Sequence, residues 1–365
     1  MSLIGHGDRY FHFLKIDPSK NFIFENSNLK KMFTPAELLE INKLLIPENK
    51  IVILTHYNPD GDAIGSSLGL KHYLRAKGIE AEVVTPNDFP KFLKWMPEAK
   101  KNIIGEYKRK VAFDLINDAD VIFCLDFNSP ARIGLLGDWL MRAKAKKILI
   151  DHHQQPEDFD YVYSDTVIPA TCQMIYHFIE AMDDEDLVNK EIAECLYTGI
   201  MTDTGGFRFR STSAATHRIV ANLIEKGADP SVITSNTWDT NTVSRLHLLA
   251  LVLGRIEVVN DGKVAVLSLT RKELQEYGFQ KGDTEGFVNY GLSIVGVRMS
   301  AFFMEDLYED FIKISFRSKD DVDVNQFSRK YFSGGGHINA AGGKSMESLP
   351  DTIETFKKRL VDENL

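Results

Sequence analysis

The chain has 365 residues, 44% hydrophobic and 26% charged, with a formal net charge of −9. That length predicts about two domains; the composition excludes a disordered chain, and the acidic balance argues against long duplex nucleic acid as a partner, since that needs basic surface. The longest apolar runs, such as 121–125, fall far short of the ~20 residues of a membrane helix. The N-terminus shows no signal-peptide pattern. Cys124, Cys172 and Cys195 are too widely spaced for a disulfide framework or zinc ribbon and fit a reducing cytoplasm.

Residues 1–33 carry Tyr10, Phe11, Phe13, Phe22 and Phe24 without a period. They read as an N-terminal extension packed on the body, with a flexible arm as the other reading. Thr34-Pro35-Ala36-Glu37 opens a helix, with Thr34 as N-cap, Pro35 in the first helical position and Glu37 closing a capping box. From Lys50 buried strands alternate with helices. Strands are expected at 51–54, 81–85, 121–125 and 148–150, and helices at 62–77, 135–145, 171–182, 190–202 and 214–226. Gly78 and Gly227 close two of the helices. Runs of Val and Ile between helices indicate a mainly parallel sheet covered on both faces. A helix at 243–253 follows, then a hairpin, 256–259 and 264–269, around Asn260-Asp261-Gly262. Strands at 295–303 and 311–316 and a helical end complete the chain. The fold class is therefore α/β over 34–238, a helical linker over 239–254, and a smaller α+β domain over 255–365.

Four segments place carboxylates and histidines at the ends of apolar elements. They are His56-Tyr57-Asn58-Pro59-Asp60-Gly61-Asp62, Asp126, Asp151-His152-His153, and Asp203. In an open parallel sheet the strand C-termini share one edge, so these residues converge. Five carboxylates, Asp60, Asp62, Asp126, Asp151 and Asp203, cannot be ionised together without compensation. Two divalent cations supply it. Oxygen donors with a few imidazoles point to Mn²⁺, with Mg²⁺ or Co²⁺ as alternatives. Taken singly, each segment could be a turn or a cap; together, at element ends, they read as one site.

This set resembles the DHH phosphoesterase superfamily, which includes RecJ-type exonucleases, family II pyrophosphatases and the nanoRNase/pAp phosphatases. The resemblance implies that His56, Asp60 and Asp126 hold one metal. It implies that Asp62, Asp126, His152 and Asp203 hold the other, with Asp126 shared. His153 would face the phosphate, and Asp151 would orient its histidine neighbours. Gly334-Gly335-Gly336-His337-Ile338-Asn339-Ala340-Ala341-Gly342-Gly343 resembles the signature of the DHH-associated C-terminal domain. Glycines let a backbone approach a ligand, and successive N–H groups form an anion nest, to which a following helix would add its N-terminus. Arg317 and Arg298, on the two expected strands, are further substrate-binding candidates. His217 either reaches the cleft or is structural; His6, His12, His72, His177 and His247 read as structural.

The resemblance implies hydrolysis of phosphoesters by two-metal activation of water, on short RNA oligonucleotides and 3′-phosphoadenosine 5′-phosphate (pAp). The alternatives are a linear or cyclic dinucleotide phosphodiesterase, a pyrophosphatase, and a non-catalytic nucleotide sensor. Residues 255–365 hold 15 basic and 18 acidic residues, so no basic track for a long strand is expected. A homodimer is left open.

Overall fold

The computed structural model describes residues 32–363. The expectations for residues 1–31 lie outside the described residues.

The first half builds a six-stranded parallel sheet in the order β3-β2-β1-β4-β5-β6. Its strands are β1 Ile51–Leu54, β2 Ala81–Thr85, β3 Ile103–Ile104, β4 Val121–Leu125, β5 Lys146–Asp151 and β6 Tyr161–Ser164. Every residue of β1 and β4 is buried, which is why both appear as unbroken apolar runs. Ile51 and Ile53 feed one core, shared with the helices Gly61–Ala76, Thr171–Ala181 and Lys190–Asp203; Val52 and Leu54 feed the other, under Arg109–Asn117 and Leu135–Arg142. Each such apolar side chain contributes about 1.5–3 kcal/mol when fully buried. The sequence reading lacks β3 and β6. β3 has two residues, and β6 is an edge strand with Val162 exposed and Tyr163 buried. The helix Pro35–Leu44 is capped by Thr34, whose Oγ1 accepts from the Glu37 amide at 3.3 Å. The capping box is only half made: the Glu37 carboxylate takes the Thr34 hydroxyl at 2.5 Å, not its backbone N–H.

The helices Gly61–Ala76 and Lys190–Asp203 cross closely because glycines face each other there. A Cβ on Gly199 would lie 2.1 Å from Cys172 Sγ and 2.9 Å from Asp62 Oδ1, and one on Gly65 would lie 2.6 Å from the Cys195 carbonyl. Gly199→Ala is therefore expected to destabilise the protein by about 1–3 kcal/mol through overpacking. Thermal denaturation should show a fall of several degrees, and an unchanged Tm would mean that the helices have room to separate.

The second sheet runs β11-β12-β10-β9-β8-β7, antiparallel except for the parallel pair β8–β9. Its strands are β7 Glu257–Val259, β8 Val264–Leu269, β9 Met299–Glu305, β10 Ile312–Ser318, β11 Gly335–His337 and β12 Ala340–Ser345. The β7–β8 turn takes Asn260, Asp261 and Gly262 to φ of 55°, 54° and 83°. The helices Val324–Tyr331 and Leu349–Asp362 cover one face of this sheet. Val243–Gly254 and Phe287–Leu292 cover part of the other; Leu248 and Val252 are buried with Ala265 and Leu267.

Two expectations are corrected here. The strand expected from 295 begins at Met299, because Val295 is 98% exposed and Gly296 turns at φ +85°. Arg298 therefore precedes β9. The glycine segment forms β11, a turn and β12, and the next helix starts only at Leu349, beyond the end of β12, so the glycines do not run into a helix N-terminus that could support a nest. Among the described residues no helix is long and apolar enough to cross a membrane.

Candidate active site

Strand order in the first sheet reverses between β1 and β4, the place where such sheets bind ligands. His56, Asp60 and Asp62 follow β1, and Asp126 follows β4. Asp151 ends β5, with His152 and His153 behind it, and Asp203 ends the helix Lys190–Asp203.

Local structure aims each side chain. Asp60 caps the helix Gly61–Ala76, its Oδ1 accepting from the Asp62 and Ala63 amides at 3.1 Å each. Asp62 reaches the N-terminus of Thr171–Ala181 and accepts from the Thr171 amide at 2.5 Å and the Cys172 amide at 2.8 Å. Unpaired N–H groups and the helix dipole favour a carboxylate there. Asp126 sits at φ +63°, a strained conformation for a residue with a side chain. The Thr171 hydroxyl donates to Asp126 Oδ1 at 2.9 Å.

His56 Nδ1 lies 2.9 Å from the Tyr57 carbonyl, and His152 Nδ1 lies 3.2 Å from the Ile168 carbonyl. A carbonyl only accepts, so in each neutral ring Nδ1 carries the hydrogen and Nε2 turns a lone pair inward. His56 Nε2 faces Asp126 Oδ2 at 3.4 Å and Asp60 Oδ2 at 3.7 Å. His152 Nε2 faces Asp126 Oδ1 at 3.4 Å, Asp203 Oδ2 at 3.5 Å and Asp62 Oδ2 at 3.7 Å. It is buried and has no hydrogen-bond partner. Lone pairs converging in this way require positive charge between them. The donor atoms of His56, Asp60 and Asp126 lie within 4.8 Å of one another, as do those of Asp62, His152 and Asp203. Both sets fit a divalent cation, and Asp126 turns one oxygen to each histidine.

Protons are the other source of that charge. Burial opposes ionisation of His56, but Asp60 and Asp126 outweigh it and push its pKa up to about 10. His152 is likewise pushed up to about 10, against burial, by Asp126, Asp203 and Asp62. Burial and the Asp126 charge push Asp62 up to about 7. Burial raises Asp203 well above the usual carboxylate range, with Asp62 adding to it. Asp126 goes the other way: burial would raise it, but His152 and His56 hold it well below that range.

His153 Nδ1 bonds Asp151 Oδ1 at 2.7 Å. Burial keeps the His153 ring neutral, well below the usual imidazole range, and burial followed by Asp126 lifts Asp151 to about 6. His337 comes from the second sheet. Its ring stacks on His153 at 4.2 Å and stands 4.9 Å from His152. Burial, then the two histidines, take its pKa down to about 2.

Residues 50–200 match the model of the DHH family, N-terminal domain, and residues 261–362 match the DHHA1 domain. The bifunctional oligoribonuclease and PAP phosphatase NrnA of Thermus thermophilus is 32% identical over 314 residues, covering 86% of this chain and 88% of that one. The chain belongs to the DHH family of phosphoesterases. As a DHH phosphoesterase it is a hydrolase of phosphoester bonds. A crystal structure of an exopolyphosphatase-related protein from Bacteroides fragilis resembles this DHH protein at a TM-score of 0.86 and 40% identity, covering 90% of this chain and 96% of that one. The cyclic-di-AMP phosphodiesterase PdeA of Listeria monocytogenes is 26% identical over 88% of this chain, which spans 48% of PdeA.

The remaining candidates of the DHH protein divide. Arg317 on β10 pairs in register with Ala340, and Ala340 with His337, so Arg317 shares the face that meets the cluster. Arg298 instead ion-pairs with Asp321, away from that register. A Cβ on Gly334 would lie 1.9 Å from the Gly342 carbonyl, and one on Gly336 2.3 Å from the Ala340 carbonyl, so packing alone requires both glycines. At Gly335 the nearest atoms, Arg329 Nε and Asn325 Oδ1, stand at 3.5 and 3.6 Å. His217 lies on the helix Ala214–Glu225 beside Phe207 and does not join the cluster. His72 bonds the Pro97 carbonyl, His177 bonds Glu180, and His247 packs on Tyr277. His6 and His12 lie outside the described residues. Thr171 was missed; its only sequence signal is its place at the start of a helix.

Proposed function

We propose that this DHH protein hydrolyses short oligoribonucleotides and pAp with two divalent cations, preferentially Mn²⁺. The observation that carries the reading is the pair of inward-facing donor sets that meet at Asp126. His56, Asp60 and Asp126 would hold one cation, and Asp62, Asp126, His152 and Asp203 the other. Carboxylates with a minority of imidazoles suit Mn²⁺ better than a sulfur-rich site would. Bound there, the cations supply an activated water and neutralise phosphate oxygens.

The chain's own groups do the rest. The amides at the start of Thr171–Ala181 lock Asp62, and the Thr171 hydroxyl locks Asp126, so neither must reorganise. Asp151 takes the Nδ1 hydrogen of His153 and fixes the ring. A phosphate dianion beside Nε2 favours the imidazolium, which then donates to the phosphoryl group or leaving ribose oxygen. Arg317 and His337 would hold the nucleotide from the second sheet. The cytoplasm, a reducing compartment, fits the three buried free cysteines.

The test is kcat/KM with Mn²⁺ on pAp, di- to pentaribonucleotides, a 24-mer, pApA and pyrophosphate. Efficiency should peak at pAp or at about two to five nucleotides, because further phosphates need further cations on the protein. A rise that continued to the 24-mer would move the protein to RecJ-type processing. Preference for pApA would favour the dinucleotide reading, and no turnover the sensor reading.

A further inference from the structure

The face of the second sheet that brings His337 and Arg317 to the DHH cluster carries charge beyond the part that reaches it. Residues directly opposite on antiparallel strands share a face. Lys313, Ser315 and Arg317 on β10 lie opposite Lys344, Gly342 and Ala340 on β12. The alternate residues Ile314 and Phe316 are buried on the other face, with Phe327 and Phe356. One face thus lies in the core under Val324–Tyr331 and Leu349–Asp362. The other is covered on its β8–β9 side, where Phe302 and Met304 are buried, and on its β12 side sets Arg317, Lys313 and Lys344 on a floor of small residues. A Cβ on Gly342 would meet nothing nearer than the Ile314 carbonyl at 3.8 Å, so the floor is open. Lys313 and Lys344 are exposed, and neither has an ion-pair partner among the described residues.

The row has an inner and an outer end. Arg317 is inner, close enough to Asp203 and Asp60 for their charges to act on it. Lys313 stands four residues along the strand, about 13 Å away. Lys281 joins at the outer end, within charge range of Lys313 and bonded to the Asp88 carbonyl of the first lobe at 3.3 Å. Glu285 borders the row, facing Lys313 and Arg317 as well as Asp60. Its carbonyl accepts from Arg245 Nη2 at 2.7 Å, which fixes its loop. Beyond Lys313, the turn 306–311 carries Asp306, Glu309 and Asp310. Arg271 ion-pairs with Asp310 at 3.0 Å, while Asp306 and Glu309 have no ion-pair partner among the described residues, so the turn stays net acidic.

We propose that Lys313, supported by Lys344 and Lys281, forms a second phosphate subsite that takes the phosphodiester of a downstream nucleotide while the scissile phosphate lies at the DHH cluster. This rests on the phosphoesterase function proposed above. The span from Arg317 exceeds a single nucleoside bisphosphate, so pAp does not reach Lys313 and a three- or four-nucleotide RNA does. The acidic turn then repels the next phosphate, which gives a short-substrate preference a structural cause.

The test compares wild type, Lys313→Ala and Lys344→Ala on pAp and on tri- and tetraribonucleotides, each checked for unchanged Tm and Mn²⁺ content. Lys313→Ala should raise KM for the oligonucleotides about five- to tenfold and make the log–log salt slope shallower by about 0.7, the loss of one contact to a single strand. Its KM for pAp should change less than twofold. Lys344→Ala should act in the same direction, more weakly. Unchanged oligonucleotide KM and salt slope in Lys313→Ala, or an equal rise for pAp, would overturn the subsite. Wild-type protein that turned over neither substrate would overturn the function as well, which separates the two failures.

Discussion

Asp126→Ala is expected to lose both cations and at least about 10³-fold in kcat/KM, since two-metal activation is worth several kcal/mol of barrier and each 1.36 kcal/mol is tenfold. The side chain faces His56 through Oδ2 and His152 through Oδ1, at 3.4 Å each. Removing it takes an oxygen from both donor sets at once, whereas Asp60 or Asp203 belongs to one. Alanine also relieves nothing at φ +63°, because the Cβ remains. Metal content after equilibration with Mn²⁺ reads the first effect directly. The Tm gain on adding Mn²⁺ reads it again, because a ligand at a hundred times its Kd stabilises the wild type by about 2.7 kcal/mol. If Asp126→Ala kept two equivalents of Mn²⁺, the shared position of Asp126 would have no part in metal binding.

His153→Ala is expected to behave differently: both cations stay and kcat falls by about 10²–10³-fold, the usual cost of one preorganised donor to a developing charge. His153 Nδ1 is engaged by Asp151 at 2.7 Å and stands 3.8 Å from Asp126, farther than either His56 or His152 Nε2. Its ring is stacked on His337, the residue that the second sheet brings to the cluster. With His153 in the proposed role at the phosphate, KM should move less than kcat. Loss of Mn²⁺ in His153→Ala, in proportion to the loss of rate, would make His153 a metal ligand instead.

The central strands of the first sheet were legible with their bounds, 51–54, 81–85 and 121–125: β1 and β4, buried on both faces, are continuous apolar runs, and β2 keeps Ala81, Val83 and Val84 buried around one exposed Glu82. The motif residues were legible because polar groups that follow such runs stand at one sheet edge whatever the strand order. The segments 56–62, 126, 151–153 and 203 are therefore neighbours by topology. Edges and pairings were not legible. β3 and β6 exist because a neighbour supplies their hydrogen bonds, and β11 and β12 because Gly334 and Gly336 let strands approach where a Cβ would collide. Thr171 acquires its role only when its helix abuts Asp62 and Asp126, more than forty residues away along the chain from either.

The charge row is the sharpest case. Fifteen basic against eighteen acidic residues over 255–365 indicated no track. A sum carries no information about which face a charge occupies. The β10–β12 register puts Lys313, Lys344 and Arg317 on one open face and leaves Asp306, Glu309 and Asp310 in the turn beyond it. Residue types and their spacing along single strands thus determined the chemistry at the carboxyl edge. Which side chains from distant strands share a surface, and so what the second lobe offers a substrate, was decided by pairing and packing, which act between segments far apart in the chain.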